Sequence, residues 1–158
     1  MSSWHNIRQW QRYVSREGCP VCNQEPNDQP NGEMHIADLT ISTLGTDSNT
    51  CMKGHCCLVV KPHAVELYDL SSEDAAAFMS DIQMAARALK KVTGAIKINY
   101  EIHGNTIPHL HMHLWPRQIG DRFEDGPIDW RLRDPGVYGE GEYESFVRDM
   151  QEAIMQLR

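Results

Sequence analysis

The stretch best suited to chemistry is His109-Leu110-His111-Met112-His113-Leu114. Side chains alternate between faces along a strand, so three imidazoles point one way and Leu110, Met112 and Leu114 the other. Burial of the apolar set fixes the register and turns the histidine row towards a cleft. Imidazole serves as nucleophile, proton carrier or neutral metal ligand near pH 7. The residues alone leave three readings open: a nucleophilic centre, a three-histidine metal site, or satisfied histidines on an edge strand. Cys19-Pro20-Val21-Cys22 has a spacing that serves metal or redox chemistry. Gly104-Asn105-Thr106-Ile107-Pro108 reads either as a plain hairpin turn or as a place where glycine lets the backbone approach a ligand.

The flanking pattern supplies elements to position these groups. Ile96 to Ile102 alternates, with Ile96, Ile98, Tyr100 and Ile102 opposite Lys97, Asn99 and Glu101. This strand and the one at 109–115 are joined by a short turn and should pair antiparallel. Met34 to Leu44 reads as a strand, residues 45–54 as a turn region, and Cys56 to Lys61 as a short apolar strand ended by Pro62. Cys56 and Cys57 fit small core residues. A helix is expected from Ser71 or Ser72 to Gly94, with Ser71 and Asp74 resembling a capping box. A last helix spans about 142–157, and a short amphipathic one spans 4–16 through Trp4, Ile7, Trp10 and Val14. Residues 23–33 form a loop rich in Asn, Pro and Asp. The order predicts an α+β fold, an antiparallel β-sheet with packed helices.

The triad, its preceding turn and the following Trp115-Pro116-Arg117 resemble the histidine-triad (HIT) nucleotide hydrolases and transferases. The order upstream is similar too: CxxC, a strand, Leu58 to His63, a capped helix, then Lys97 to Asn105. The resemblance implies a HIT-like fold over a single domain, 1–158, with a core of about 19–117 and a C-terminal extension at 118–158. It also implies that His111 attacks the α-phosphorus of a nucleotide, forms a nucleotidyl-imidazole and releases a nucleoside monophosphate. His113 and the Gly104, Asn105 and Thr106 turn would hold phosphoryl charge. Asn99 would contact the sugar–phosphate region and Asp47 the ribose, unless Asp47 only shapes its turn. Zinc-bearing relatives imply a structural Cys₂His₂ zinc site at Cys19, Cys22, His63 and His109, with His55 the substitute for His63. No organic cofactor is implied. A purine nucleotide or dinucleotide substrate and a homodimer are. The competing function is a nucleotide-binding regulator or adaptor with little turnover.

Bulk properties narrow the rest. The 158 residues are 41% hydrophobic and 23% charged, enough for one core. A net charge of -7 disfavours general nucleic-acid binding. Five cysteines cannot all pair within one chain. No apolar run approaches the ~20 residues of a membrane helix, and the polar N-terminus is unlike a secretory signal, so a cytoplasmic location is expected. Residues 120–141, rich in Gly, Pro and Asp, form a specificity loop or a dimer contact. Arg117 meets distal phosphates or forms a salt bridge. Trp115, Trp130 and Tyr138 either shape a base or leaving-group pocket or are packing residues, with neither role assigned, and His103 either borders the pocket or is solvated.

Overall fold

The computed structural model describes residues 7–23 and 33–158. Trp4, His5 and most of the 23–33 loop lie outside the described residues. The elements in chain order are α1 (Ile7–Tyr13), β1 (Glu33–Asp38), β2 (Ser42–Asp47), β3 (Cys56–Val60), α2 (Ser72–Thr93), β4 (Lys97–Ile102), β5 (His111–Arg117) and α3 (Glu142–Leu157). The strands form one antiparallel sheet in the order β1-β2-β3-β5-β4. The fold is α+β, as the pattern predicts.

Alternation builds the sheet's two faces. Leu44 of β2, Leu58 of β3, and Met112 and Leu114 of β5 share a buried core with Phe78, Ile82 and Leu89 of α2 and Met150 and Ile154 of α3. Their neighbours in sequence, including His111 and His113, emerge on the opposite face. Helix α2 starts where Ser71 Oγ accepts the Asp74 N–H at 3.0 Å. It stops at Gly94, whose φ of 67° is the left-handed cap that glycine adopts without strain.

Four expectations are corrected. Met34 to Leu44 is not one strand but two, β1 and β2, joined by a tight reversal. The cause is Asp81 of α2, 1% exposed, whose carboxylate accepts the N–H groups of Thr40, Ile41 and Ser42 at 2.9–3.0 Å and the Ser42 hydroxyl at 2.8 Å. Strand β5 begins at His111, so His109 lies outside the ladder. On β4 only Ile98 is buried. Tyr100 and Ile102 are 47% and 40% exposed, because β4 is a sheet edge. Helix α1 ends at Tyr13 rather than at 16, and none of its described residues is buried.

Candidate active site and metal centre

The register β3·β5 sets Cys57 opposite His113 and Val59 opposite His111, while β4 sets Glu101 opposite His113. The histidines thus lie on the face away from the helices. They line a cavity of about 290 Å³, together with His55, the 103–107 turn, Asp47 and the loop residues Trp130 and Arg133.

The His111 ring has a defined orientation. Its Nδ1 lies 2.6 Å from the backbone oxygen of His109. A carbonyl only accepts, so Nδ1 carries the proton and Nε2 keeps a lone pair. Burial lowers the His111 pKa below its ordinary value, which keeps that ring neutral. His113 sits edge-on to His111, with ring centres 5.0 Å apart. Burial pushes His113 down to about 3, with the charges of His111, His103 and Arg133 adding to the effect.

His55 belongs to this cavity. Its Nε2 is 2.9 Å from His113 Nδ1 and its ring stacks on Trp115 at 3.9 Å. Among the described residues, the buried His55 Nδ1 has no hydrogen-bond partner. A buried nitrogen without a partner is tolerated better as a lone pair than as an N–H. That places the His55 proton on Nε2, donating to His113 Nδ1, and leaves His113 Nε2–H as a donor. Glu101 extends the network, accepting from Trp115 Nε1 at 3.2 Å and lying 3.1 Å from His103 Nε2.

The turn before β5 closes one side of the cavity. Gly104 has φ of 119°, which other residues adopt only with strain. Its carbonyl accepts the Trp10 indole N–H at 2.8 Å, tying α1 to the turn. Asn105 and Thr106 also line the cavity. At the other side, Asp47 Oδ1 accepts the Asn49 N–H at 2.7 Å, and Oδ2 accepts from Arg133 Nη1 at 3.3 Å. Asn99 is placed elsewhere. Its side-chain oxygen accepts from Arg117 Nη1 at 2.6 Å, and it does not line the cavity. Arg117 is 8% exposed and organises the loop after β5, with two bonds to Asp121 and others to the carbonyls of Phe123 and Gly126. It takes the salt-bridge reading, not the phosphate one.

The second cluster is separate. Ligand atoms of Cys19, Cys22, His63 and His109 all lie within 4.8 Å of one another. Cys19 Sγ is 3.4 Å from His109 Nδ1, and Cys22 Sγ is 3.3 Å from His63 Nδ1. The outer nitrogens are occupied: His109 Nε2 donates to Val60 O at 2.6 Å and His63 Nε2 to Val14 O at 2.7 Å. Both inner Nδ1 atoms therefore carry lone pairs aimed at the sulfurs. Four soft or borderline donors with their outer N–H groups anchored fit a tetrahedral zinc ion. His63, not His55, completes the set. His109 thus faces the cysteines rather than the cavity, because it precedes the strand.

The HIT domain model matches residues 34–120. The chain belongs to the histidine-triad (HIT) family. This HIT protein resembles the solved histidine triad protein blr8122 of Bradyrhizobium japonicum, with 30% identity, a TM-score of 0.69, and 77% of this chain and 90% of that one covered. A Zn-bound histidine triad family protein from Mycobacterium smegmatis shares the fold at 23% identity and a TM-score of 0.64, over 90% of this chain and 97% of the other. Adenosine 5'-monophosphoramidase hnt1 of Schizosaccharomyces pombe is 24% identical over 63% of this chain and 74% of its own length. The name of that relative supports nucleotide hydrolysis at the level of the family.

Sequence reasoning about this HIT protein missed His55 and Arg133 as cavity-lining residues and Glu101 as the partner of Trp115 and His103. His55 and Glu101 carried a usable signal, since each lies on or beside a strand that must pair with the triad. Arg133 had none, because a 24-residue connection of loop composition does not say which of its residues reach the cavity.

Proposed function

We propose that this chain is a nucleotidyl hydrolase or transferase that cleaves at the α-phosphate of phosphoramidate or dinucleoside polyphosphate substrates through a covalent nucleotidyl-His111 intermediate. The carrying observation is the bond from His111 Nδ1–H to the His109 carbonyl, which leaves a neutral Nε2 lone pair beside the cavity. Nε2 attacks phosphorus, an Nε2–P bond forms, and the P–N or P–O bond to the leaving group breaks. The leaving group departs with a proton. A water oxygen then attacks the same phosphorus, the Nε2–P bond breaks and nucleoside monophosphate leaves. An alcohol or another phosphate in place of water gives transfer.

His113 Nε2–H, held in that tautomer by His55, supplies a donor to the phosphoryl oxygen or a proton to the leaving group. The Gly104–Thr106 turn adds the Asn105 amide and Thr106 hydroxyl. Asp47 lies at the far side, where a carboxylate suits ribose hydroxyls. Asn99 acts through Arg117 and the loop rather than by contact with substrate. Cys19, Cys22, His63 and His109 would hold a zinc ion, whose role would be structural cross-linking because four protein donors leave no open position. No organic cofactor enters the reaction. A homodimer formed through β4 would cover Tyr100 and Ile102 on the unpaired sheet edge. A cytoplasmic location fits free thiols at all five cysteines; among the described residues no helix is long and apolar enough to cross a membrane.

The test is incubation with adenosine phosphoramidates and diadenosine polyphosphates, comparing wild type with His111→Ala and His111→Gly. Adenosine monophosphate release is expected from wild type and lost in both variants, with nucleotide binding largely kept. Turnover surviving in both variants rejects His111 as nucleophile.

A further inference from the structure

The connection between β5 and α3 lies mostly beyond the residues that match the HIT domain, yet it walls the cavity. It is anchored there. Asp134 N–H donates to Thr50 O at 2.9 Å, making an isolated β-bridge with Thr50, and Arg122 Nη1 donates to Leu132 O at 3.3 Å. Between these anchors, Trp130 and Arg133 project onto the cavity, with the guanidinium 5.7 Å from the indole centre.

Arg133 is the one Lys or Arg among the residues lining the cavity. Its bonds to Asp47 Oδ2 and Asn49 O both leave from Nη1. Among the described residues, Nε and Nη2 have no partner, so most of a five-donor fork remains open. The side chain is 46% exposed, so an incoming group can reach it. Its guanidinium is a permanent positive charge in a lining that otherwise holds no Lys or Arg side chain. An open guanidinium fork is matched to an oxyanion held by two parallel N–H bonds. The attacked phosphoryl group is engaged by His111, His113 and the 104–106 turn. Asp47 lies four residues along β2 from Thr43, the residue level with His111 through Val59. At about 3.3 Å per residue that is roughly 13 Å along the strand from the level of His111, and about half that from Gly45, the residue level with His113 through Cys57, so Arg133 suits an oxyanion displaced along β2 from the phosphorus that His111 attacks.

The geometry points to Arg133 as a specificity-determining residue that selects nucleotides carrying a second oxyanion, a carboxylate or phosphate, in addition to the phosphoryl group attacked by His111. The inference rests on the nucleotidyl reading above. The oxyanion has two possible sources, the leaving group or the sugar.

Three substrates separate them: the glycine phosphoramidate of AMP with a free carboxylate, the glycinamide phosphoramidate without it, and the glycinamide phosphoramidate bearing a 3'-phosphate. kcat/KM is measured for each with wild type, Arg133→Gln and Arg133→Lys. Wild type should prefer one charged substrate over the plain glycinamide compound. Arg133→Gln should shrink that preference by about tenfold or more, as loss of a charge-assisted bond implies. Arg133→Lys should fall between, since it keeps charge but not the fork. Loss of preference for the glycine compound assigns the oxyanion to the leaving group, and loss for the 3'-phosphate compound assigns it to the sugar. Preferences equal in wild type and Arg133→Gln overturn the role of Arg133 and leave the nucleotidyl reading standing. Absence of turnover of all three by wild type overturns both.

Discussion

A neutral imidazole attacks phosphorus only while it stays unprotonated, and burial does that for His111 and His113. Because the His111 pKa is lowered, the acid limb of kcat/KM should lie below pH 6.5, the ordinary histidine value; a limb at or above 6.5 in a pH–rate profile counts against a buried nucleophile. The same shift has a stability consequence. Between pH 6.5 and about 3 the unfolded chain binds a proton at residue 113 that the folded ring refuses. Tm should therefore fall as pH drops below 6.5 and level off above it, and His113→Asn should flatten that slope in thermal melts. His113→Ala should lower kcat about 10²-fold or more by removing a donor to the phosphoryl oxygens, checked in single turnovers. His111 and His113 were legible because strict alternation with Leu110, Met112 and Leu114 leaves them one face. His55 carried a signal from its place beside β3, but its contact with His113 depends on how β3 is registered on β5.

At the scale of elements, the reversal between β1 and β2 depends on a single carboxylate. Asp81 collects three backbone N–H groups and a hydroxyl, those of Ile41 and Ser42 in the core. Asp81→Ala leaves those donors without a partner and should cost about 3 kcal/mol or more, measured by urea denaturation. Ser71→Ala removes one cap from α2 and should cost about 1 kcal/mol. The comparison shows what local pattern carries. The α2 boundaries follow from Ser71, Asp74 and Gly94, which act within a few residues. The break at residues 39–41 follows from a side chain forty positions away, so Met34 to Leu44 reads as one strand. The loop after β5 has the same character: Arg117 and Asp121 shape it, and Arg133 joins it to Asp47.

For the whole molecule, the Cys₂His₂ cluster joins three distant parts: the segment after α1, the end of β3 and the approach to β5. Protein prepared without added metal should contain about one zinc per chain by elemental analysis, and a strong chelator should lower Tm. Its absence would remove the cross-link while leaving the His111 assignment intact.

The sequence by itself determined the periodic elements, the α+β class and the order of triad, turn and CxxC, because those depend on spacings of two, three or four residues. Only the tertiary structure decided that His109 turns to the cysteines while His111 and His113 face the cavity, that His63 rather than His55 joins the metal donors, and that Asn99 serves Arg117. Each of those outcomes is a competition between partners separated by tens of residues, settled by strand register and by which polar groups the folded core must satisfy.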